Sequence, residues 1–420
     1  MAVDVPPDAP TVDRLLDVAA ALFWEKGYAA TTTREIATAL GIQQASLYFH
    51  IASKEDLLYQ VFVSSLKRFL ADVPAAVEEV ACPLERVQAL IHAHVAMLLT
   101  HQKRNVTMFT ELRALSRPHR AEVHALREQY AKFVRSNLQN AQAAGRIRAE
   151  IPATYLALAL LNILNWTALW FRTGKELSAD QVADIFVTLY LRGAASPLAN
   201  GRLTVPSLER EPRKAAFRVR KRPPTAENAT QKRLLTAAVS LFSRKGYMAT
   251  TTREVAALLG MQKASLYNHI ESKEDLLYLT CKSSLESIRA DVETAIREIH
   301  DPLERTRVLI CAHVESLLRD FEEHTTTLAE MHALSAGRLS QITALREGYV
   351  DFVRSVLQDA QNAGALRPDI GAKYLCLSLM GLMDRVLVWY HRRGPLSPAQ
   401  LGQLLAVIFL TGVAVPGEVP

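Results

Sequence analysis

Gln43-Gln44-Ala45 and Gln262-Lys263-Ala264 are two sets of side chains able to read base-pair edges, each at the start of a short helical run. A glutamine amide can bond adenine through two hydrogen bonds, a lysine can donate to guanine, and an alanine methyl can touch the methyl of thymine. The two sets are copies of one another. Residues 26–59, KGYAATTTREIATALGIQQASLYFHIASKEDLLY, recur at 245–278 as KGYMATTTREVAALLGMQKASLYNHIESKEDLLY, with 26 of 34 positions identical and a constant offset of 219 residues. Such a repeat points to a duplicated domain. In each copy the polar residues follow a short helix and a glycine turn, a helix-turn-helix, and two copies suggest two major grooves read by one molecule.

The elements that must position these residues are helical. Leu15, Leu16, Ala19, Leu22 and Phe23 fall at helix spacing, and Lys26-Gly27 ends the run. Thr32 and Glu35 form a capping box for the next helix, and Gly41 supplies a left-handed residue for the turn. A third helix is expected from about Gln43 to His50, and Ser53 opens a longer fourth. No run alternates long enough to build a sheet, so the fold class is all-α. The copies also match beyond the first 60 residues: Pro83-Leu84-Glu85-Arg86 with Pro302-Leu303-Glu304-Arg305, Tyr130 with Tyr349, and Trp170 with Trp389. The expected domains are a reading head at 8–56 and a sensing and pairing bundle at 57–196. A basic linker at 197–227, a second head at 228–275 and a second bundle at 276–415 complete the chain.

Composition narrows the partners. A formal charge of +6 favours an anionic partner without naming it. Eight basic residues against Glu209 and Glu211 lie between Arg202 and Arg222, which reads as a solvated linker or a phosphate-contacting strap. Cys82, Cys281, Cys311 and Cys376 form no CxxC pair, which fits a reducing cytoplasm. The start, MAVDVPPDAP, lacks the features of a signal peptide. Tyr155 to Trp170 is apolar but short and carries two asparagines, so it is read as a buried helix and no membrane partner is expected. His92 and His94, two apart on a helix, face different sides, so no metal is expected. No phosphate loop, nucleophile elbow or HExxH occurs, so neither an enzyme nor a cofactor is indicated.

The run Gly27-Tyr28, Thr31-Thr32-Thr33, Ile36-Ala37, Leu40-Gly41, Ala45-Ser46-Leu47-Tyr48, His50 and Ser53-Lys54-Glu55-Asp56-Leu57-Leu58 resembles the TetR family of bacterial transcription regulators, and so does the second copy from Gly246-Tyr247 to Leu277. The family usually has Phe after the motif histidine; here Ile51 and Ile270 stand there. The resemblance implies that the third helix enters the major groove, with Gln43, Gln44, Ala45 and Gln262, Lys263, Ala264 toward the bases. It implies phosphate contacts from Thr33, Tyr48, His50 and Lys54, and from Thr252, Tyr267, His269 and Lys273. The copies differ at Gln44/Lys263, Phe49/Asn268 and Ile42/Met261, so the expected operator is an imperfect palindrome. Members normally pair through helices near the domain end, here 180–193 and 398–412. Duplication then suggests a pseudo-dimer within one chain, or a homodimer of tandem chains.

More weakly, Glu111-Leu112-Arg113-Ala114-Leu115, Arg127, Tyr130, Asn162, Asn165-Trp166, Trp170-Phe171-Arg172, Gly174 and Leu177-Ser178 look like the family branch that senses acyl-CoA thioesters. Arg113, Asn162, Asn165, Trp166 and Trp170 are therefore the expected ligand contacts. Arg113, Arg117, Arg120 and Arg127 could meet coenzyme A phosphates or form a solvated face. Gly381, Asp384 and Arg385 replace Asn162, Asn165 and Trp166 in the second copy, so unequal pockets are expected. The expected function is a ligand-responsive repressor, in a bacterial cytoplasm at the nucleoid. An activator, or a helical ligand-binding or adaptor protein with vestigial reading heads, is the alternative.

Overall fold

The computed structural model describes residues 11–172, 177–193, 226–391 and 394–412. Nearly all of the expected linker, and Gly174, lie outside these residues. The described segments are helices joined by turns, with no strand among them, as the sequence pattern requires. The chain divides into two compact units, with the boundary between Arg192 and Gly193.

In the first unit, α1 (Thr11–Lys26), α2 (Thr33–Leu40) and α3 (Gln44–Leu47) build the reading head. Leu15, Leu16, Ala19, Leu22 and Phe23 of α1 are buried, together with Ile36, Ala37 and Leu47. Thr32 caps α2: the Glu35 amide donates to Thr32 Oγ1 at 3.2 Å, and the Thr32 amide donates to Glu35 Oε2 at 2.8 Å. Gly41, at φ +72°, ends it in a conformation that side-chain-bearing residues avoid. α3 is shorter than expected. After Leu47 the amides of Tyr48, Phe49 and His50 bond carbonyls three residues back, so the chain tightens into a 3₁₀-like turn.

α4 (Lys54–Val77) runs from the head into the bundle and packs on α5 (Pro83–Thr100), α6 (Gln102–Thr110) and α7 (Arg117–Ala143). Ser53 caps it by accepting from the Asp56 amide at 3.0 Å. α8 (Ala153–Trp170) and α9 (Ala179–Arg192) complete the unit. α8 is long and apolar enough to cross a membrane, yet it packs on α5, α6 and α7 with Leu156, Leu160, Asn162, Ile163 and Leu164 buried. That is the arrangement of a core helix.

The second unit repeats the plan: α10 (Ala226–Lys245), α11 (Thr252–Leu258) and α12 (Lys263–Leu266) form the head. The bundle comprises α13 (Lys273–Ile296), α14 (Pro302–Arg319), α15 (Phe321–Glu330), α16 (Ala336–Asn362), α17 (Ala372–Asp384), α18 (Val386–Trp389) and α19 (Pro398–Thr411). Two local differences matter. The counterpart of α8 is interrupted at Arg385, giving α17 and α18. α19 lies tight on α14, since a Cβ added to Gly402 would stand 3.0 Å from Cys311 Cα.

Candidate nucleic-acid interface and sensing core

The reading surface is built by burying one side of each short helix. Leu47 and Leu266 are fully buried, which turns Gln43, Ala45, Tyr48 and His50, and likewise Gln262, Ala264, Tyr267 and His269, to the exterior. Tyr48 is 49% exposed and Tyr267 44%. Thr33 and Thr252 lie half-buried beneath them, with hydroxyls 3.3 Å and 3.2 Å from Tyr48 Oη and Tyr267 Oη. Gln43 and Gln262 sit at the N-caps but make no capping bond, so their amides stay available. The side chain of Lys263 lies outside the described residues.

Two expectations change. Gln44 is half-buried, and its Nε2 donates to Thr33 Oγ1 at 2.9 Å, so one amide proton braces the Thr33–Tyr48 pair instead of facing a base. Lys54 and Lys273 turn inward. Lys54 Nζ donates to the carbonyls of Tyr28 (2.9 Å) and Thr31 (2.8 Å) and lies 4.3 Å from the centre of the Tyr28 ring. Lys273 does the same with Tyr247, Met248 and Thr250. Burial pushes the Lys54 ammonium pKa down. These lysines clamp the first residues of α4 and α13 to the turn before α2 and α11; they are braces, where free phosphate contacts were expected.

Each head is also stitched to its bundle. Glu35 pairs with Lys26 at 2.6 Å, and that bond with the Thr32 cap holds the Glu35 carboxyl at about 2. Glu55 accepts from the Ser116 amide at 2.7 Å and meets His119 at 2.9 Å; Glu274 accepts from the Ser335 amide at 2.9 Å. In the first unit Arg104, 1% exposed, donates to Asp13 Oδ1 (3.1 Å), to the Asp13 carbonyl (2.5 Å) and to Asp17. Arg68 adds a bond to Asp13 at 2.7 Å. The second unit reverses the signs: Lys232 and Glu323 occupy the positions of Asp13 and Arg104. Periodicity alone gave no sign of this network, although the reversed charges at equal offset were visible in the sequence.

The sensing core differs from the expected list. Arg113 is exposed on the 3₁₀ turn after α6, whereas Asn162 is buried on α8. Asn165, Trp166 and Trp170 are half-buried on α8 and already engaged within the fold. Asn165 Oδ1 stands 3.3 Å from His94 Nε2, and His94 Nδ1 stands 2.8 Å from Tyr130 Oη. Burial pulls His94 down to about 4, so the imidazole is neutral near pH 7. In the second unit Asp384 Oδ1 lies 3.1 Å from His313 Nε2, with Tyr349 Oη 2.8 Å from Nδ1. The sequence comparison matched Tyr130 with Tyr349 but not His94 with His313, and gave no sign that each tyrosine pairs with a histidine. Arg127 Nη2 donates to the Met108 carbonyl at 2.5 Å, so that guanidinium is spent inside the bundle. His92 bonds Asp184 at 3.2 Å, tying α5 to α9, and the described residues contain no metal-binding cluster.

A cavity of about 50 Å³ opens in the second unit, beside His313, His324, Arg346, Tyr349 and Asp384. Its walls include Leu285, Ile288, Leu317, Met331 and Met380. All of the expected ligand contacts lay in the first copy.

Comparison with known proteins places this geometry. The family model described as "Bacterial regulatory proteins, tetR family" matches residues 15–61 and 234–278, and "Tetracyclin repressor-like, C-terminal domain" matches 81–194 and 300–413. The chain belongs to the TetR family. It is a tandem of two TetR units. The HTH-type transcriptional repressor KstR2 of Mycobacterium tuberculosis is 32% identical over 181 residues, covering 43% of this chain and 90% of the repressor. The fatty acid metabolism regulator protein of Bacillus subtilis is 22% identical over 139 residues, covering 33% of this chain and 72% of its own. Among solved structures, AibR in complex with isovaleryl coenzyme A and operator DNA is 30% identical. It covers 42% of this chain and 96% of that one, with a TM-score of 0.39.

Proposed function

We propose that this tandem TetR protein is a ligand-responsive transcriptional repressor whose two heads read the two halves of one operator. The observation that carries the proposal is the duplicated exposed set: Gln43, Ala45, Tyr48 and His50 recur as Gln262, Ala264, Tyr267 and His269, each backed by a buried leucine. A vestigial head would have lost one set. In this reading the tyrosines, histidines and threonines bond phosphate, and the glutamines read base edges. The two units pair as a pseudo-dimer through the regions of α9 and α19, which sets the heads about one helical turn of DNA apart, ~34–36 Å. Gln44 and Lys263 make the two half-sites differ by one or two base pairs.

The effector presents a small apolar group, with the acyl moiety of an acyl-CoA thioester as the leading class. The family-branch residues and the relative named as a fatty acid metabolism regulator favour it. Binding must stabilise a conformation that fits DNA less well, because a ligand shifts an equilibrium only by its differential affinity. The test is retention of genomic DNA fragments at physiological salt by the wild type and by Tyr48→Ala with Tyr267→Ala. Retention of a shared sequence by the wild type alone supports the proposal; equal retention by both defeats it.

A further inference from the structure

α15 differs from its counterpart at most positions. Its counterpart α6 carries Asn105, whose Nδ2 donates to the carbonyls of Met97 (3.2 Å) and Leu98 (2.8 Å). The same position in α15 is His324, 3% exposed and lining the cavity. His324 Nδ1 lies 2.5 Å from Ser284 Oγ, and its Nε2 is buried with no partner among the described residues. A buried nitrogen left unpaired is costly, so it marks a place where a hydrogen bond is missing.

The other polar groups at the cavity are already committed. His313 holds Tyr349 and Asp384, and Thr327 Oγ1 donates to the Glu323 carbonyl at 3.0 Å. Arg346 also lines the cavity and is engaged within the fold, and the rest of the wall is aliphatic and thioether. The first unit fills the corresponding positions with larger groups: Phe69 for Ile288, Met108 for Thr327 and Phe109 for Leu328. The Phe69 ring lies 5.0 Å from the His94 ring and 5.5 Å from that of Tyr130, against the face that Ile288 leaves open beside His313. Smaller residues in the first unit, Val123 for Ile342 and Ala168 for Leu387, lie on other walls.

We infer that effector sensing is confined to the second unit, and that its cavity takes a small apolar ligand bearing one uncharged oxygen hydrogen-bonded to His324 Nε2. This rests on the ligand-responsive reading above and names the half and the chemistry. His324 is drawn down to about 4 by burial, so it meets a carbonyl or hydroxyl as a neutral ring. α15 also packs on α10 of the head, so an occupant of the cavity touches the element that carries the head.

The probes are cyclopentanone and its isosteric hydrocarbon methylenecyclopentane, titrated into the full chain labelled with ¹³C-methyl methionine. Met331 and Met380 line the cavity, while Met108 reports the same region of the first unit. The expected result is saturable shifts at Met331 and Met380, none at Met108, and about tenfold weaker binding of the hydrocarbon. His324→Asn copies the residue that the first unit folds with, and should weaken the ketone by about tenfold while leaving the hydrocarbon unchanged. Ile288→Phe copies Phe69 and should abolish both. Equal affinity for the two probes, indifference to His324→Asn, shifts at Met108, or no saturable shift at Met331 and Met380 would each overturn the inference. DNA retention is read separately, so the repressor reading can stand when this one fails, and the reverse.

Discussion

Replacing Arg104 with Met keeps the aliphatic stem and removes the guanidinium that binds α1 to α6. The side chain is 1% exposed and makes bonds to Asp13 Oδ1, to the Asp13 carbonyl and to Asp17. Breaking a fully buried ion pair costs roughly 3–5 kcal/mol, because a charge is left without compensation. Here the stranded carboxylates keep side-chain exposures of 34% and 30%, and Arg68 still holds Asp13 at 2.7 Å. Water and Arg68 therefore recover part of the penalty, leaving about 2–3 kcal/mol. For a unit of roughly 200 residues that is a fall of about 5–10 °C in its unfolding temperature. Amide exchange is the sharper assay, since the loss is local to α1. Amides of Leu15 to Phe23 should exchange roughly 30- to 150-fold faster while those of Leu234 to Phe242 stay unchanged. Adding Asp13→Lys and Asp17→Thr to Arg104→Glu copies Lys232, Thr236 and Glu323 of the second unit and should recover part of the loss. Unchanged exchange in Arg104→Met would refute the idea that this network fastens the head.

Three further outcomes follow from the same geometry. Tyr48→Ala with Tyr267→Ala should cost roughly 1.5–3 kcal/mol for each hydroxyl lost from a phosphate and leave the salt slope of DNA binding nearly unchanged, because a neutral phenol releases no counterion, read from filter binding across a salt series. Burial raises the Glu315 carboxyl from an ordinary 4.5 to about 7, against the downward pull of Arg319. Folding therefore favours its protonated form, and its contribution to stability is lost as pH rises from about 4.5 through 7. Glu315→Gln should stabilise the second unit at pH 8 by at most ~3 kcal/mol and not at pH 4, checked by denaturant unfolding at the two pH values. Gln44→Lys removes the bond to Thr33, gives both heads a lysine at this position and should move the preferred operator toward two-fold symmetry, checked by site selection.

The local punctuation of the fold was legible because it is written in neighbouring residues. Thr32 with Glu35, Gly41 and Ser53 each set a helix end through bonds within four residues. α8 was legible as a core helix because two asparagines interrupt its apolar run. What escaped depends on contacts across long separations. Lys54 reaches back 26 residues to the Tyr28 carbonyl, so its sequence neighbours Glu55 and Asp56 say nothing of its direction. Asn165 meets His94 across 71 residues, and only the packing of α5 on α8 makes that pair. The cavity depends on the ring at position 69 against the branched chain at 288, a comparison of volumes that polarity patterns do not contain. His324 was missed for the same reason, since a lone histidine among glutamates and threonines carries no signal until a cavity is found beside it.

The measurement closest to the central claim is selection of random duplex DNA by the intact chain at physiological salt. The account predicts one recovered sequence with two similar half-sites about 10 base pairs apart, centre to centre, unequal at one or two positions. A single isolated half-site, or two half-sites with no fixed spacing, would contradict it.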